Sequence, residues 1–262
     1  MSGVRDLATV LAGFPKTRPV LPPKLQAIYV RQYQENRAGA TPAASAAQRL
    51  ERWLHRQVAA DVTTDLGASV GAGPPRATLE IGAGTLNQLA FEPPNDAYDI
   101  VEPFAELYRD SPLRDRIRRV FADIHQIPAD RTYDRITSAA ALEHICDLPR
   151  VLARATRLLK PDGCFRAAIP SEGGFLWKLG WMCTTGLEFR LRHGLDYGLM
   201  MAHEHVNDAF DIETLVRALF EEVEVTSFGF GRQLSLYRFL AARRPRLDVA
   251  AAWEARFGTA SH

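Results

Sequence analysis

The sequence has little of three things that would mark a secreted, membrane-spanning or nucleic-acid-binding protein. It has only three cysteines, Cys146, Cys164 and Cys183, which leave an odd thiol in any disulfide scheme and favour a reducing, cytoplasmic location. No apolar run approaches the ~20 residues of a membrane-spanning helix, although peripheral membrane contact stays open. The 32 basic residues are balanced by 31 acidic ones, so no overall positive field draws the protein to nucleic acid.

What the composition does provide is a chain large enough for one α/β domain with additions. It has 262 residues, of which 47% are hydrophobic and 24% charged, and such a chain can bury a sizeable core. Residues 1–70 lack strand and helix alternation, and Leu25 and Ile28 fall at helical spacing. We therefore predict a helical leader or cap over 1–70, a main domain over 71–245 and a helical tail over 246–262.

One short stretch organises the main domain. Leu79 and Ile81 form an apolar run that stops at Gly82, and Gly82 with Gly84 allows a sharp turn and close approach of a ligand to the backbone. A dinucleotide fingerprint would have a third glycine where Asn87 stands, so the packing against a pyrophosphate that this glycine permits is missing. The stretch therefore predicts a strand, a ligand-binding turn and a helix start, for a ligand without a pyrophosphate.

An acidic residue ends the next predicted strand, at 98–102. Glu102 follows Gly82 by 20 positions, the separation at which a carboxylate in such folds binds the ribose hydroxyls of a nucleoside. This spacing suits NAD and S-adenosylmethionine equally. Pro103 is well placed in the first turn of a helix, so Glu102 is also a candidate cap for that helix.

The order of these motifs resembles an enzyme family. The segment Glu80–Gly84 is similar to motif I, E-x-G-x-G, of class I S-adenosylmethionine-dependent methyltransferases. Residues 133–145 resemble the segment after the fourth strand of small-molecule methyltransferases, and 158–170 resemble their LLKPGG segment, with Asp162 in place of the first glycine. The likeness, of methyltransferase type 11 kind, spans residues 77–170 in motif detail and continues to 242 in architecture.

The resemblance implies both a fold and a cofactor site. The fold is α/β, a doubly wound, mostly parallel sheet of the Rossmann-like methyltransferase type, with an antiparallel hairpin at its end and an insertion at about 171–210 after the fifth strand. The cofactor is S-adenosyl-L-methionine, with its adenine beside Asp123 and Ile124, although Asp123 is also a candidate loop cap. The residues predicted to bind the cofactor are Glu80, Gly82, Ala83, Gly84, Asn87, Glu102, Pro103, Asp123, Ile124, Ser138 and Ala139.

Two histidines are candidates for a catalytic base. His144 lies just beyond the fourth strand, where doubly wound sheets gather ligands, and histidine is the side chain that best suits proton removal near neutrality. It could equally be a helix-start residue bound to backbone. His205 is the alternative base, because acceptor-facing residues are expected in its segment. His203 and His205 flank a carboxylate, but a third metal ligand is not identifiable, so we predict no metal.

The acceptor is less specifically marked. The insertion at 171–210 is rich in large apolar side chains and predicts either a substrate lid or a homodimer interface. Residues 36–37, 50–58 and 204–207 resemble methyltransferases found with enzymes of surface-glycan synthesis. We therefore predict methyl transfer to an oxygen or nitrogen of a small-molecule or lipid-linked acceptor, with a sugar as one candidate.

Two other functions share this fold. A nicotinamide-dependent oxidoreductase would use Glu102 in the same way, but Asn87 and the segment 142–144 argue against it. A non-catalytic protein that keeps the fold for assembly is the second alternative. The intact glycine turn and the two strand-end acids argue against that function, although a fold alone never guarantees activity.

Overall fold

The computed structural model describes residues 5–29, 45–63, 76–94, 97–182, 186–231 and 233–258. Within these residues, seven strands form one sheet. They are β1 (Ala77–Ile81), β2 (Ala97–Val101), β3 (Ile117–Phe121), β4 (Tyr133–Ala139), β5 (Leu159–Pro170), β6 (Phe220–Phe230) and β7 (Leu234–Pro245). Their order across the sheet is β3-β2-β1-β4-β5-β7-β6. Neighbours among β1 to β5 are parallel, whereas β7 is antiparallel to β5 and β6. The predicted doubly wound, mostly parallel sheet is confirmed.

Burial explains which segments became inner strands and which became the edge. The last four residues of β1 and of β2 are buried without alternation, as expected for parallel strands covered on both faces. The edge strand β6 instead alternates between half-buried Val223 and Val225 and exposed Glu222 and Glu224. Only one face of β6 therefore packs on the core.

Helices cover both faces of the sheet. They are α1 (Leu7–Ala12), α2 (Ser45–Thr63), α3 (Ala105–Tyr108), α4 (Leu148–Leu158), α5 (Phe175–Trp181), α6 (Leu187–His193), α7 (Tyr197–Glu204), α8 (Ala209–Leu219) and α9 (Leu247–Gly258), with a further helical stretch at 23–29. Phe165 and Ala167 of β5 belong to the core that includes α1, α4, α8 and α9, whereas Ala168 packs with Leu54 and Val58 of α2. Because alternate residues of a strand face opposite sides, α2 covers one face and the other four helices cover the opposite one.

The predicted leader and the predicted insertion contain helices where they are described. The insertion at 171–210 contains α5, α6 and α7, and the predicted leader contains α1 and α2. The domain boundaries themselves stay a prediction. Residues 36–37 and Cys183 lie outside the described residues. None of the described helices combines the length and the apolar character that crossing a bilayer requires.

A buried ion-pair network fastens α2 to the sheet. Arg135 on β4 is fully buried, and it donates from Nε to Asp61 at 3.0 Å and from Nη1 to Glu92 at 2.8 Å. Arg166 on β5 donates to the carbonyl oxygen of Val58 at 2.8 Å and lies 3.0 Å from Asp61. Burial alone lowers the pKa of Arg135, but the charges of Glu92 and Asp61 raise it overall. The guanidinium is therefore held charged between two carboxylates.

Candidate functional site

A cavity of about 870 Å³ opens at the carboxyl ends of the parallel strands. It lies beside β1, the strand from which the order of the sheet runs in opposite directions, and doubly wound sheets bind their ligands at this switch point. The residues that line it at the strand ends are Gly82 and Gly84 after β1, Glu102 and Pro103 after β2, Asp123 and Ile124 after β3, and Ala140, Ala141 and His144 after β4.

The turn after β1 requires glycine for two different reasons. Gly82 has a φ of 71°, and a Cβ on it would lie 2.4 Å from the Cβ of Ala141. Gly84 has a φ of 50°, but among the described residues a Cβ there would meet no atom within 4 Å. Gly82 is thus required by conformation and by packing, and Gly84 by conformation alone. The turn leads into a short 3-10 helix, Asn87–Phe91, at the predicted helix start.

Glu102 follows β2 directly, and its carboxylate joins two strand ends. Its Oε2 accepts the N–H of Gly84 at 2.9 Å and its Oε1 accepts the N–H of Phe104 at 3.0 Å. The residue is only 5% exposed, yet it lines the cavity. The helix after it, α3, begins at Ala105, two residues later than the start predicted at Pro103. Since a carboxylate has about four lone pairs, both oxygens retain capacity for the hydroxyl groups of a ligand.

Asp123 and Ile124 lie on the adjacent wall, two and three residues beyond β3. The Oδ1 of Asp123 accepts the N–H of His125 at 2.8 Å and caps the 3-10 helix Ile124–Gln126. The loop-cap interpretation of Asp123 is therefore observed, and it leaves lone pairs for a ligand. Ile124 is buried and presents an apolar surface to the cavity. An edge acceptor and a flat apolar contact suit a planar heterocycle.

Five residues predicted to bind the cofactor are not in the lining of the cavity: Glu80, Ala83, Asn87, Ser138 and Ala139. Two of them instead support the strand ends from within the sheet. Ser138 donates from Oγ to the carbonyl oxygen of Ile81 at 3.0 Å, and Glu80 accepts the hydroxyl of Tyr98 at 3.0 Å. Both are buried, so they stabilise the backbone on which the glycine turn is built.

Burial changes the titration of Glu80. Desolvation raises the pKa of its carboxyl to about 7, against the opposing hydrogen bond from Tyr98 and with help from the charge of Glu92. Between the ordinary glutamate pKa, about 4.3, and this value, the folded protein binds more protons than the unfolded chain. The free energy of unfolding therefore falls as the pH rises through this window.

We expect Glu80→Gln to remove this pH dependence. The wild type should lose about 3 kcal/mol of its free energy of unfolding between pH 4.5 and 7 through this group, whereas glutamine keeps an acceptor for Tyr98 and does not titrate. Urea unfolding at pH 5 and pH 8 measures the difference. Glu224→Gln, on the exposed face of β6, should keep the wild-type slope. If the free energy of unfolding changed with pH equally in Glu80→Gln and the wild type, the raised pKa of Glu80 would be refuted.

Several lining residues are not among those predicted to bind the cofactor. Arg18 and Tyr29 come from the leader, and His203 and Glu204 come from the insertion. Arg18 donates to the carbonyl oxygen of His144 at 2.8 Å and to that of His203 at 2.7 Å, so it joins the loop after β4 to the end of α7. Glu204 belongs to the segment 204–207 that resembles methyltransferases of glycan synthesis, but the position of Arg18 beside His144 and His203 depends on contacts between segments more than 100 residues apart.

The two candidate bases lie side by side at this junction. The rings of His144 and His205 are edge to face, with centroids 4.9 Å apart. His144 lines the cavity, and its Nδ1 lies 2.9 Å from the carbonyl oxygen of Glu204. His205 places its Nδ1 2.5 Å from Glu172. Burial alone lowers the pKa of His205, but the hydrogen bond and charge of Glu172, with the charge of Glu143, raise it overall.

Asn207 explains why these segments meet. It is fully buried, and its Nδ2 donates to the carbonyl oxygens of Leu142 at 2.8 Å and Ile145 at 2.7 Å. Its own N–H donates to the carbonyl oxygen of Glu143 at 3.1 Å. One side chain thus fastens the end of the insertion to the loop that carries His144. The backbone interpretation of His144 is also observed, through its hydrogen bond to Glu204.

Comparison with known proteins finds one matching family model and several solved structures of similar fold. A family model described as "Methyltransferase domain" matches residues 70–167, which contain the glycine turn, Glu102, Asp123 and the loop that carries His144. No curated protein matches the chain significantly.

Solved structures resemble the chain at low identity. The 1,6-didemethyltoxoflavin-N1-methyltransferase of Burkholderia thailandensis, solved with bound 1,6-didemethyltoxoflavin and S-adenosylhomocysteine, is 18% identical, with 88% of this chain and 94% of that chain covered and a TM-score of 0.51. The CMeT domain of the citrinin polyketide synthase is 15% identical, with 73% and 52% covered and a TM-score of 0.52. The CurJ carbon methyltransferase is 20% identical, with 72% and 54% covered and a TM-score of 0.48.

This chain thus spans about half the length of the citrinin synthase and CurJ chains, at 52% and 54%. At such identities the likeness concerns the fold alone. The chain has the Rossmann-like fold of class I S-adenosylmethionine-dependent methyltransferases, as predicted.

Proposed function

We propose that this protein transfers the methyl group of S-adenosylmethionine to an oxygen or nitrogen of a small-molecule or lipid-linked acceptor. One observation carries the proposal. The carboxylate of Glu102 lines the cavity while it is held between the glycine turn and the start of α3. A fixed carboxylate can bind the ribose hydroxyls of a ligand, and the open glycine turn beside it suits a ligand that has no pyrophosphate. The family match to residues 70–167 supports this choice of cofactor.

The proposed pose assigns each part of the cofactor to one strand end. The methionine part lies over Gly82 and Gly84, the ribose hydroxyls bind Glu102, and the adenine lies between Asp123 and Ile124. These residues line one continuous cavity in this order across the sheet. The 1,6-didemethyltoxoflavin-N1-methyltransferase, which has a similar fold, was solved with S-adenosylhomocysteine, and we therefore choose that compound as the probe here.

The reaction is an in-line displacement at a sulfonium methyl group. The acceptor atom forms a bond to the methyl carbon, the carbon–sulfur bond breaks, and its electron pair stays on sulfur, which leaves neutral S-adenosylhomocysteine. The acceptor loses one proton to a base or to water. Holding the reactants in line lowers the barrier because the entropy of alignment is lost on binding. His144, on the cavity wall, is the proposed base, with His205 as the alternative.

The acceptor is proposed on weaker grounds. A sugar of a surface glycan is one candidate, because 50–58 and 204–207 resemble methyltransferases that accompany glycan synthesis. Asn207 supports a role for the second segment, since it fastens the insertion beside the cavity. Methyl-transfer assays on glycan precursors and on small hydroxylated and amino compounds would separate these acceptors.

The proposed cofactor site is tested at Glu102. We expect Glu102→Ala to weaken S-adenosylhomocysteine binding about 10- to 100-fold, because it removes charged-acceptor hydrogen bonds worth about 1.5–3 kcal/mol. Isothermal calorimetry measures the dissociation constant, and Glu224→Ala, at an exposed position on β6, controls for the loss of one negative charge outside the cavity.

Two outcomes would contradict this proposal. Unchanged affinity of Glu102→Ala for S-adenosylhomocysteine would remove Glu102 from the site. A wild type that binds NAD and not S-adenosylhomocysteine would instead favour the oxidoreductase, because both cofactors use an acid at this position.

A further inference from the structure

We propose that Glu143, His144 and His205 form a binding site for a divalent transition-metal ion at the wall of the cavity. A carboxylate oxygen of Glu143 and one ring nitrogen from each histidine lie within 4.8 Å of one another. Two imidazoles and one carboxylate form a ligand set that suits Zn²⁺ and similar ions. The prediction of no metal depended on the lack of a third ligand near His203 and His205, and the fold supplies Glu143 and His144.

The hydrogen bonds of the histidines prepare both for metal binding. The Nδ1 of His144 faces a backbone carbonyl oxygen, that of Glu204, which can only accept, so this Nδ1 carries the proton. The Nδ1 of His205 faces the Glu172 carboxylate in the same way. In the neutral rings, the Nε2 atoms therefore keep their lone pairs. Metal-binding histidines are commonly oriented by such carbonyl and carboxylate partners.

The carboxylate of Glu143 is a second, independent observation that points to a bound cation. It is 2% exposed, and among the described residues its Oε2 has no hydrogen-bond partner. A carboxylate oxygen that is buried and unpartnered is unfavourable in its charged form. A bound cation would compensate that charge together with the nearby carboxylate of Glu172.

The geometry requires a small closure around the ion. Around a tetrahedral ion with bonds of about 2.1 Å, ligand atoms are about 3.4 Å apart, which is closer than the 4.8 Å limit seen here. Glu143 and His205 are more buried than His144, whose side chain is 36% exposed, so we expect the closure mainly at His144. Three protein ligands leave an open position for water or substrate, as in catalytic zinc sites.

The role of the ion rests on the proposed function. Because His144 lines the cavity, the open position would take an oxygen of the acceptor and lower the pKa of its hydroxyl group. The acceptor would lose its proton to water as the alkoxide forms, and the oxygen would then attack the methyl carbon. In that case the two histidines act as ligands and neither needs to act as the base.

The experiment measures metal binding separately from cofactor binding. The full-length protein, freed of metal by a chelator, is titrated with Co²⁺ by visible absorption and with Zn²⁺ by calorimetry. We expect one equivalent of metal to bind, with the visible spectrum of Co²⁺ that has three protein ligands and one open position. We expect Glu143→Gln and His205→Asn to abolish metal binding. Glu172→Gln should weaken binding about 10- to 100-fold, as for other residues that orient a ligand.

His203→Asn is the matched control. It lies two residues from His205, but its Nδ1 faces the carbonyl oxygen of Pro19, so this variant should bind Co²⁺ normally. No Co²⁺ or Zn²⁺ binding by the wild type, or normal binding by both Glu143→Gln and His205→Asn, would overturn the proposal. Loss of binding in His203→Asn equal to that in His205→Asn would do the same.

Parallel titration with S-adenosylhomocysteine separates the two proposals. Glu143→Gln removes a buried charge and should remain folded, so its unchanged affinity for S-adenosylhomocysteine would show that only the metal site is lost. A wild type that binds Co²⁺ and not S-adenosylhomocysteine would overturn the methyltransferase proposal and keep the metal site. A wild type that binds S-adenosylhomocysteine and not Co²⁺ would overturn the metal site alone.

Discussion

Gly82→Val is expected to abolish S-adenosylhomocysteine binding. A valine at this position must adopt a φ of 71°, which β-branched residues rarely do, and its Cβ would lie 2.4 Å from that of Ala141. The turn must therefore shift, and with it the N–H of Gly84 that binds Glu102. Calorimetry with S-adenosylhomocysteine measures the loss, and thermal unfolding reports whether the variant is folded.

The control for Gly82 is a glycine with the same conformation and free space. Gly194 has a φ of 66°, and among the described residues a Cβ there would meet no atom within 4 Å. Gly194→Val should lower the free energy of unfolding through backbone strain of about 1–2 kcal/mol and should leave S-adenosylhomocysteine binding intact. Gly82→Ala provides a milder second variant. Normal affinity in folded Gly82→Val would mean that the ligand binds elsewhere.

Arg135→Ala is expected to cost about 3–5 kcal/mol of the free energy of unfolding, because removing one partner of a buried ion pair leaves uncompensated charge. Glu92, 2.8 Å from this guanidinium, would be left with an uncompensated charge, whereas Asp61, 3.0 Å from it, would keep Arg166. The loss should also loosen α2, which carries Asp61. Urea denaturation measures the change, and the fluorescence of Trp53 reports on α2 once the other three tryptophans are replaced by phenylalanine in both proteins.

Two comparisons make this result specific. Arg192→Ala removes an exposed ion pair with Glu188, in which both side chains are 68% exposed, and should change stability by no more than about 0.5 kcal/mol. The double variant Arg135→Ala with Glu92→Gln should be less destabilised than the sum of its parts, because the second change removes the orphaned charge. Equal costs for Arg135→Ala and Arg192→Ala would show that the network contributes little.

The sequence by itself determined the sheet and the strand-end side of the cavity, where we propose that the cofactor binds. Glycines at 82 and 84 and acids at 102 and 123 follow strands whose apolar runs are local, and parallel strands bring their carboxyl ends to one edge. The predicted positions of these groups therefore depend on the backbone within a few residues of each. We did not predict that Glu80 and Ser138 support the turn from within the sheet. Which side of the sheet a strand side chain faces depends on the register of that strand.

Only the tertiary structure decided the other side of the cavity. His144 and His205 are 61 residues apart in the chain, and they meet because Asn207 binds the loop after β4 and because Arg18 joins that loop to α7. The Arg135 network likewise depends on α2, which is distant in sequence. Local patterns encode conformation and cannot encode which distant segments share a contact, since those contacts are set by how the leader and the insertion pack on the finished sheet.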